Sequence, residues 1–331
     1  MLAEGGSILR RGGLVAFPTE TVYGLGANAL DGDAVAGIFA AKGRPGDNPL
    51  IVHVADKRTV KELAKDVPEQ AITLMNAFWP GPLTIILPVG GKVPGQVTAG
   101  LETLALRMPN HPVALGLIKA AGVPVAAPSA NTSGRPSPTT AEHVWFDLAG
   151  RIDLILDAGP AGFGLESTVL DLTVPTPQIL RPGGITPEKL REVLGSVSVA
   201  FSEADMANTT TPPRSPGMKY THYAPNAPLY LIEGEEQEVT AKIKDLALFY
   251  RGQGQRVGIL TYSGGTDFTS FGEVLKAGHR DQPETIANAL YAVLRRFDQL
   301  GVDVILAEGI EDRGIGLAVM NRLRKASAKI R

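Results

Sequence analysis

Lys42-Gly43-Arg44-Pro45-Gly46-Asp47-Asn48-Pro49-Leu50 is written for neither a helix nor a strand interior. Pro45 and Pro49 lack an amide donor, and Gly46 is conformationally loose. The stretch reads as a loop leaving a helix over 31–41, where Asp31 suits the N-cap and Val35, Ile38 and Phe39 share a face. The apolar run 50–54 that follows reads as a buried strand. A helix, a short shaped loop and a buried strand make one unit of an α/β fold. The loop holds Lys42 and Arg44 between packed elements, where a planar fork and a point charge suit an anion with several oxygens. A solvated helix C-terminus also favours cations, so this stretch alone leaves both readings open.

The chain has 331 residues, enough for two domains. Its net charge is -2, and the balance is even along its length: 16 Lys+Arg against 18 Asp+Glu over 1–200, and 16 of each over 201–331. A broadly basic nucleic-acid binder is excluded, and any RNA contact would be a local patch. There is no cysteine, which removes disulfides, thiolate catalysis and Cys-ligated metals. No basic region followed by an apolar core opens the chain and no apolar run could span a bilayer, so the expectation is a cytoplasmic protein without membrane contact.

Outward from the loop, helices are expected over 2–11, 68–78, 111–121, 139–148 and 187–194. Strands are expected over 14–17, 83–87, 104–108, 124–127, 154–157, 166–172 and 178–181. Gly24-Leu25-Gly26-Ala27-Asn28-Ala29 matches a relaxed dinucleotide fingerprint, but several residues separate it from the strand before it, so the match carries little. Thr19 and Thr21 instead present hydroxyls at a strand end, where open α/β sheets bind ligands. The run from Pro128 to Ser137 gathers Ser129, Asn131, Ser133 and Ser137 directly after an apolar strand, with Gly134 allowing close backbone approach. A Ser/Pro-rich surface turn has the same composition. Arg107 and Arg181 end strands.

Residues 201–228 are linker-like by composition, yet Lys219, Tyr220, His222 and Tyr223 are more than a spacer needs, and a lid over the site is expected there. Residues 229–331 read as a smaller α/β domain, with strands over 229–232, 257–262 and 302–306 and helices over 240–250, 283–300 and 316–328. The five histidines show no spacing for zinc and no Ser-His-Asp pattern appears, so nucleophilic catalysis is disfavoured. Polyanion binding by positioned charges remains, as phosphoryl or nucleotidyl transfer requires.

Several motifs together resemble the YrdC-type threonylcarbamoyl-AMP synthases. They are residues 13–29 (GLVAFPTETVYGLGANA), Lys42-x-Arg44-Pro45…Asn48-Pro49-Leu50, residues 78–84 (FWPGPLT), Arg107-x-Pro109, Pro128-Ser129-Ala130-Asn131-x-Ser133-Gly134 and Glu166-Ser167-Thr168. The linker's Ser215-Pro216-Gly217-Met218-Lys219-Tyr220-x-His222-Tyr223-Ala224-Pro225 and the residues behind it resemble the longer, two-domain form. The resemblance implies a catalytic domain over 1–200 with a twisted mixed sheet, helices and a concave cleft. It implies a linker or lid over 201–228 and a Rossmann-like α/β domain over 229–331.

The activity it implies is condensation of L-threonine, bicarbonate and ATP to threonylcarbamoyl-AMP, with release of pyrophosphate and Mg²⁺ accompanying ATP. A separate threonylcarbamoyl transferase then modifies an adenosine beside the tRNA anticodon, so direct tRNA binding is not required here. The family's two signatures fall on Lys42, Arg44, Ser129 and Asn131. Its ATP contacts fall on Arg44, Asn48, Thr103, Ser129, Ser137, Arg181 and Tyr223. Its threonine contacts fall on Thr21, His53, Arg107, the Ala127 backbone and Ser167, and no residue is assigned to a metal. Two rivals remain at this stage: an RNA-binding or ribosome-assembly module, and a carbamoyl-transfer domain using carbamoyl phosphate.

Overall fold

A computed structural model describes residues 1–200, 214 and 222–328. They fall into two units. One comprises Met1–Ser133, Ser137–Gly162 and Glu166–Tyr220; the other comprises Gly134–Pro136, Phe163–Leu165 and Thr221–Arg331.

The first unit is built on ten strands: β1 (Val15–Pro18), β2 (Tyr23–Asn28), β3 (Ile51–His53), β4 (Leu83–Pro88), β5 (Thr103–Arg107), β6 (Val125–Ala126), β7 (Leu154–Ile155), β8 (Thr168–Asp171), β9 (Gln178–Arg181) and β10 (Ser198–Val199). Their order is β10-β9-β8-β4-β5-β3-β6-β2-β1-β7. The sheet is mixed: β3 runs parallel to β5 and β4 to β8, while β4–β5, β8–β9 and β3–β6 are antiparallel. Helices flank it, Gly32–Lys42, Glu69–Phe78, Pro112–Ala121 and Ala141–Leu148 among them.

Alternation along the strands separates two faces. Val52, Ile85, Leu104, Leu106, Leu170 and Ile179 face the main core. Their neighbours Ile51, Ile86, Ala105, Val169 and Leu180 form a small separate apolar floor on the other face. This second face carries the polar residues considered below.

The glycine-rich segment after β1 is itself a strand. Gly24 and Gly26 lie in β2, antiparallel to β1. A Cβ on Gly26 would stand 2.8 Å from Val125 Cγ1 and 2.9 Å from Phe17 Cε1. The glycines let two strands and an aromatic ring close up, with no dinucleotide loop there. In the opening loop, Asp31 caps the helix by accepting from the amides of Asp33 and Ala34, and Gly43 ends it with φ 59°. That left-handed turn favours glycine.

The second unit has a four-stranded sheet, β11 (Leu229–Ile232), β12 (Val257–Ser263), β13 (Glu273–His279) and β14 (Val304–Glu308), in the order β11-β14-β12-β13 and parallel throughout. Helices Glu236–Gly252, Pro283–Leu300 and Ile315–Ala326 complete a Rossmann-like α/β layer. Strand β13 is not visible in the sequence. It lies at the sheet edge, and only Ala277 along it is fully enclosed, so the run of buried apolar residues that marks its neighbours is missing. No helix among the described residues is long and apolar enough to cross a membrane.

Candidate functional site

The Lys42 tip and the Ser129–Asn131 tip meet. Lys42 Nζ donates to the backbone carbonyls of Ser129 and Asn131, and Ser133 N donates back to Lys42 O at 2.9 Å. The Ser129 hydroxyl donates to Asn131 Oδ1 at 2.5 Å, and Asn131 Nδ2 donates to Thr132 O at 2.7 Å. Lys42 is buried, which an ammonium tolerates only among oxygen partners. Its position follows from helix Gly32–Lys42 ending there with its cap on Gly43. The Ser129 loop is pinned to the sheet by Ala130 N donating to Tyr23 O at 2.8 Å and by a bridge between Gly24 and Ser129. The lysine thus closes the loop's own backbone, a structural role that the sequence did not show.

Arg44 follows on the same tip, half-buried, with Nη2 3.4 Å from Asn48 O. The Asn48 side chain is wholly buried, and neither amide atom has a hydrogen-bond partner among the described residues. An unmatched buried amide costs about 1–3 kcal/mol, which a ligand group can return.

A second group gathers at one end of the other sheet face. His53 pairs with Arg107 across β3–β5, and the starts of β4 and β8 reach the same end. The buried Arg107 guanidinium donates from Nη1 to Thr21 Oγ1 (3.0 Å) and from Nε to Gly81 O (3.3 Å); Nη2 stands 2.7 Å from Glu20 Oε1. Ser167 Oγ pairs with Thr84 Oγ1 at 2.8 Å, and Arg181 donates from Nη2 to Ser167 Oγ (3.2 Å) and from Nε to Ser167 O (3.1 Å). A register shift between Val169 and Leu170 turns Arg181 towards this face. Ala127 is fixed beside β3 by its amide donating to Ile51 O at 2.9 Å.

His53 is held neutral. Burial, and then the Arg107 charge, push its pKa down to about 3. Its ring lies edge-on to Phe17, and among the described residues no partner in hydrogen-bonding geometry reaches Nδ1. At neutral pH this imidazole is a hydrogen-bonding surface with no charge.

Thr103 stands at the far end of β5, about 13 Å from Arg107 at the usual rise per residue, but on the same face. Ser137 is fully buried and its hydroxyl donates to Glu166. Tyr223 belongs to the second unit. Its backbone has φ 68°, Tyr291 stacks on its ring at 5.4 Å, and the Arg322 guanidinium lies 5.4 Å above it. Of the expected lid, Lys219 and Tyr220 lie outside the described residues.

Four contributors escaped the sequence reading: Glu20 beside Arg107, Thr84 beside Ser167, Glu166 beneath Ser137, and Gly183. A Cβ on Gly183 would stand 2.3 Å from Thr168 N and 2.4 Å from Glu166 O, so its backbone runs against the strand start that carries Ser167. Glu20 and Glu166 lie inside motifs quoted above; Gly183 carried no signal beyond the pair Gly183-Gly184. No group of three His, Cys, Asp or Glu able to hold a metal occurs among the described residues.

The Sua5/YciO/YrdC family model, described as "Telomere recombination", matches residues 7–183, and that of the "Threonylcarbamoyl-AMP synthase, C-terminal domain" matches residues 185–328. The chain belongs to the threonylcarbamoyl-AMP synthase family. It is 52% identical over 327 residues to the Bacillus subtilis threonylcarbamoyl-AMP synthase, covering 98% of this chain and 92% of that one. It is 50% identical over 319 residues to the Pyrococcus abyssi threonylcarbamoyl-AMP synthase, covering 96% and 92%. The crystal structure of P. abyssi Sua5 complexed with L-threonine superposes with a TM-score of 0.92 at 50% identity, covering 98% of this chain and 94% of that one. Full-length HypF, at 23% identity and a TM-score of 0.50, shares the fold alone.

Proposed function

We propose that the chain is a nucleotidyltransferase making L-threonylcarbamoyladenylate from L-threonine, bicarbonate and ATP. The observation that carries the reading is the ring of Arg107, Thr21, His53 and Ser167 at one end of a single sheet face, with Thr103 further along it. An amino acid's carboxylate is read best by a buried, pre-oriented guanidinium, and Arg107 is one. That P. abyssi Sua5, 50% identical to this chain, is complexed with L-threonine supports L-threonine as the substrate.

Chemically the protein has to orient, shield charge and exclude water. The α-ammonium of threonine gives up a proton, and the neutral amine then adds to the carbon of bicarbonate; a C–O bond breaks and water leaves with a proton of the amine, giving a carbamate. A carbamate oxygen attacks the α-phosphorus of ATP, and pyrophosphate leaves with the β- and γ-phosphates. The nucleophile is already an anion, so no strong general base is needed. The barrier lies in bringing two anions together, and Arg44, Arg181 and Lys42 are the cations assigned to offset it. Lys42 also holds the Ser129–Asn131 backbone in place, so it acts partly by shaping the loop. Mg²⁺ brought in with ATP would neutralise charge at the leaving pyrophosphate, and no residue of this chain is assigned to hold it. Asn48 and Ser137 are assigned to the nucleotide, as is Tyr223. Neutral His53 accepts or donates a hydrogen bond at threonine without adding charge.

The reading extends to a cytoplasmic enzyme that hands its product to a separate threonylcarbamoyl transferase acting on tRNA, so that direct tRNA binding is not required of it. The test is pyrophosphate release by purified protein with ATP and Mg²⁺, omitting threonine and bicarbonate in turn. Release dependent on both supports the reading. Release independent of either, or RNA binding unaffected by ATP, contradicts it.

A further inference from the structure

Glu20 stands among the threonine residues with no task in that reading. It sits in the four-residue turn between β1 and β2. Thr19 N donates to Val22 O at 3.3 Å, and the Thr19 hydroxyl accepts from the amides of Thr21 (3.2 Å) and Val22 (3.3 Å). The turn is therefore fixed, and it aims two successive side chains at Arg107: Thr21 at Nη1 and Glu20 at Nη2.

The two contacts differ in kind. The bond to Thr21 is aligned. The Glu20 contact is a close charge pair at 2.7 Å, yet among the described residues neither Glu20 oxygen nor Arg107 Nη2 has an aligned hydrogen-bond partner. The Glu20 side chain is 17% exposed and that of Arg107 is 4%, though both Glu20 carboxylate oxygens are themselves buried. The Glu20 charge also acts on His111.

We propose that Glu20 is the residue that reads the α-ammonium of threonine. An incoming α-carboxylate takes over Arg107 Nη2 in aligned geometry, and Glu20 turns to the ammonium. An α-amino acid carries both charges on one carbon. A carboxylate seated on Arg107 therefore brings its ammonium to the turn that carries the acid. Each of the four charges ends with a partner in a charge-assisted hydrogen bond. A ligand lacking the ammonium would displace Glu20 and leave its carboxylate without a cation, which is selection by an unpaired charge. This rests on the reading above that Arg107 receives threonine's carboxylate.

Competition binding with L-threonine and with 2,3-dihydroxybutanoate, the same skeleton with hydroxyl in place of ammonium, tests the proposal. The native chain is expected to prefer threonine by at least about tenfold, the effect of one charge-assisted contact. In Glu20→Gln the preference should collapse towards unity through loss of threonine affinity, with ATP affinity unchanged; Glu20→Asp should keep part of it. If Glu20 only props Arg107, both ligands weaken alike and the preference survives in Glu20→Gln, which overturns the proposal. Equal affinity of the native chain for the two ligands overturns it without any variant. Failure of the native chain to bind threonine at all strikes the functional reading itself, and so is told apart from a failure confined to Glu20.

Discussion

Lys42 Nζ and the Ser129 carbonyl are hydrogen-bonded although 87 residues separate them in the chain. The bond joins the end of one helix to a loop held on the sheet, so the two signature motifs form one structural object. Lys42→Ala should lower both activity and stability. It strips two carbonyls of a buried charged donor, at about 1–3 kcal/mol, and removes a positioned cation, roughly 10²–10³-fold in turnover. Arg44→Ala, at a half-buried position on the tip, should lose comparable activity with little change in melting temperature. Pyrophosphate release and thermal unfolding, measured on the same preparations, check both; equal thermal loss in the two variants would count against the division of roles.

Arg107→Lys keeps the charge and loses the fork. One ammonium cannot reach Thr21, Gly81 and a ligand carboxylate in the directions the guanidinium does. The KM for threonine is expected to rise by about tenfold or more while the KM for ATP holds. A matching rise in both constants would show that Arg107 supports the fold of the whole face.

His53 sets a direction for pH dependence. Its folded pKa lies near 3, against an ordinary 6.5. Below about pH 6.5 the unfolded chain takes up a proton there that the folded chain refuses, so stability falls as the pH drops from 6.5 towards 3. The slope from this one group reaches at most about 1.4 kcal/mol per pH unit. His53→Gln should flatten that part of a chemical-denaturation series taken from pH 7 to pH 4. Parallel curves for the two proteins would mean that the imidazole already carries a proton in the folded state.

Gly183→Ala should be far more harmful than Gly43→Ala. At Gly183 a methyl group meets backbone on the strand start that holds Ser167, whereas at Gly43 nothing lies within 4 Å and the penalty is the left-handed backbone alone, about 1–2 kcal/mol. Soluble yield and unfolding midpoint separate them; a benign Gly183→Ala would mean that the strand start has room to move.

Much of this was legible in the sequence because the site is made of loop tips and strand ends with uncommon composition. Lys42-x-Arg44, Ser129-x-Asn131 and Arg107-x-Pro109 each break an apolar pattern with a charge or a hydroxyl, and it is their occurrence together that is specific. The misses have physical causes. Gly24 and Gly26 carry no side chains to print a strand pattern, yet tight packing against Phe17 and Val125 makes them strand residues. Glu20 and Glu166 looked like ordinary acids because their partners, Arg107 and Ser137, lie far off in the chain. The edge strand β13 lacked an enclosed face to imprint a pattern.

The central claim is that threonine and ATP are joined through a carbamate on this chain. Mass spectrometry of the nucleotide product formed from ATP, L-threonine and ¹³C-bicarbonate tests it most directly. The expected product is an AMP adduct carrying threonine and one labelled carbon, with pyrophosphate in equal amount. Threonyl-AMP without the label, or ADP and phosphate in place of pyrophosphate, would contradict it.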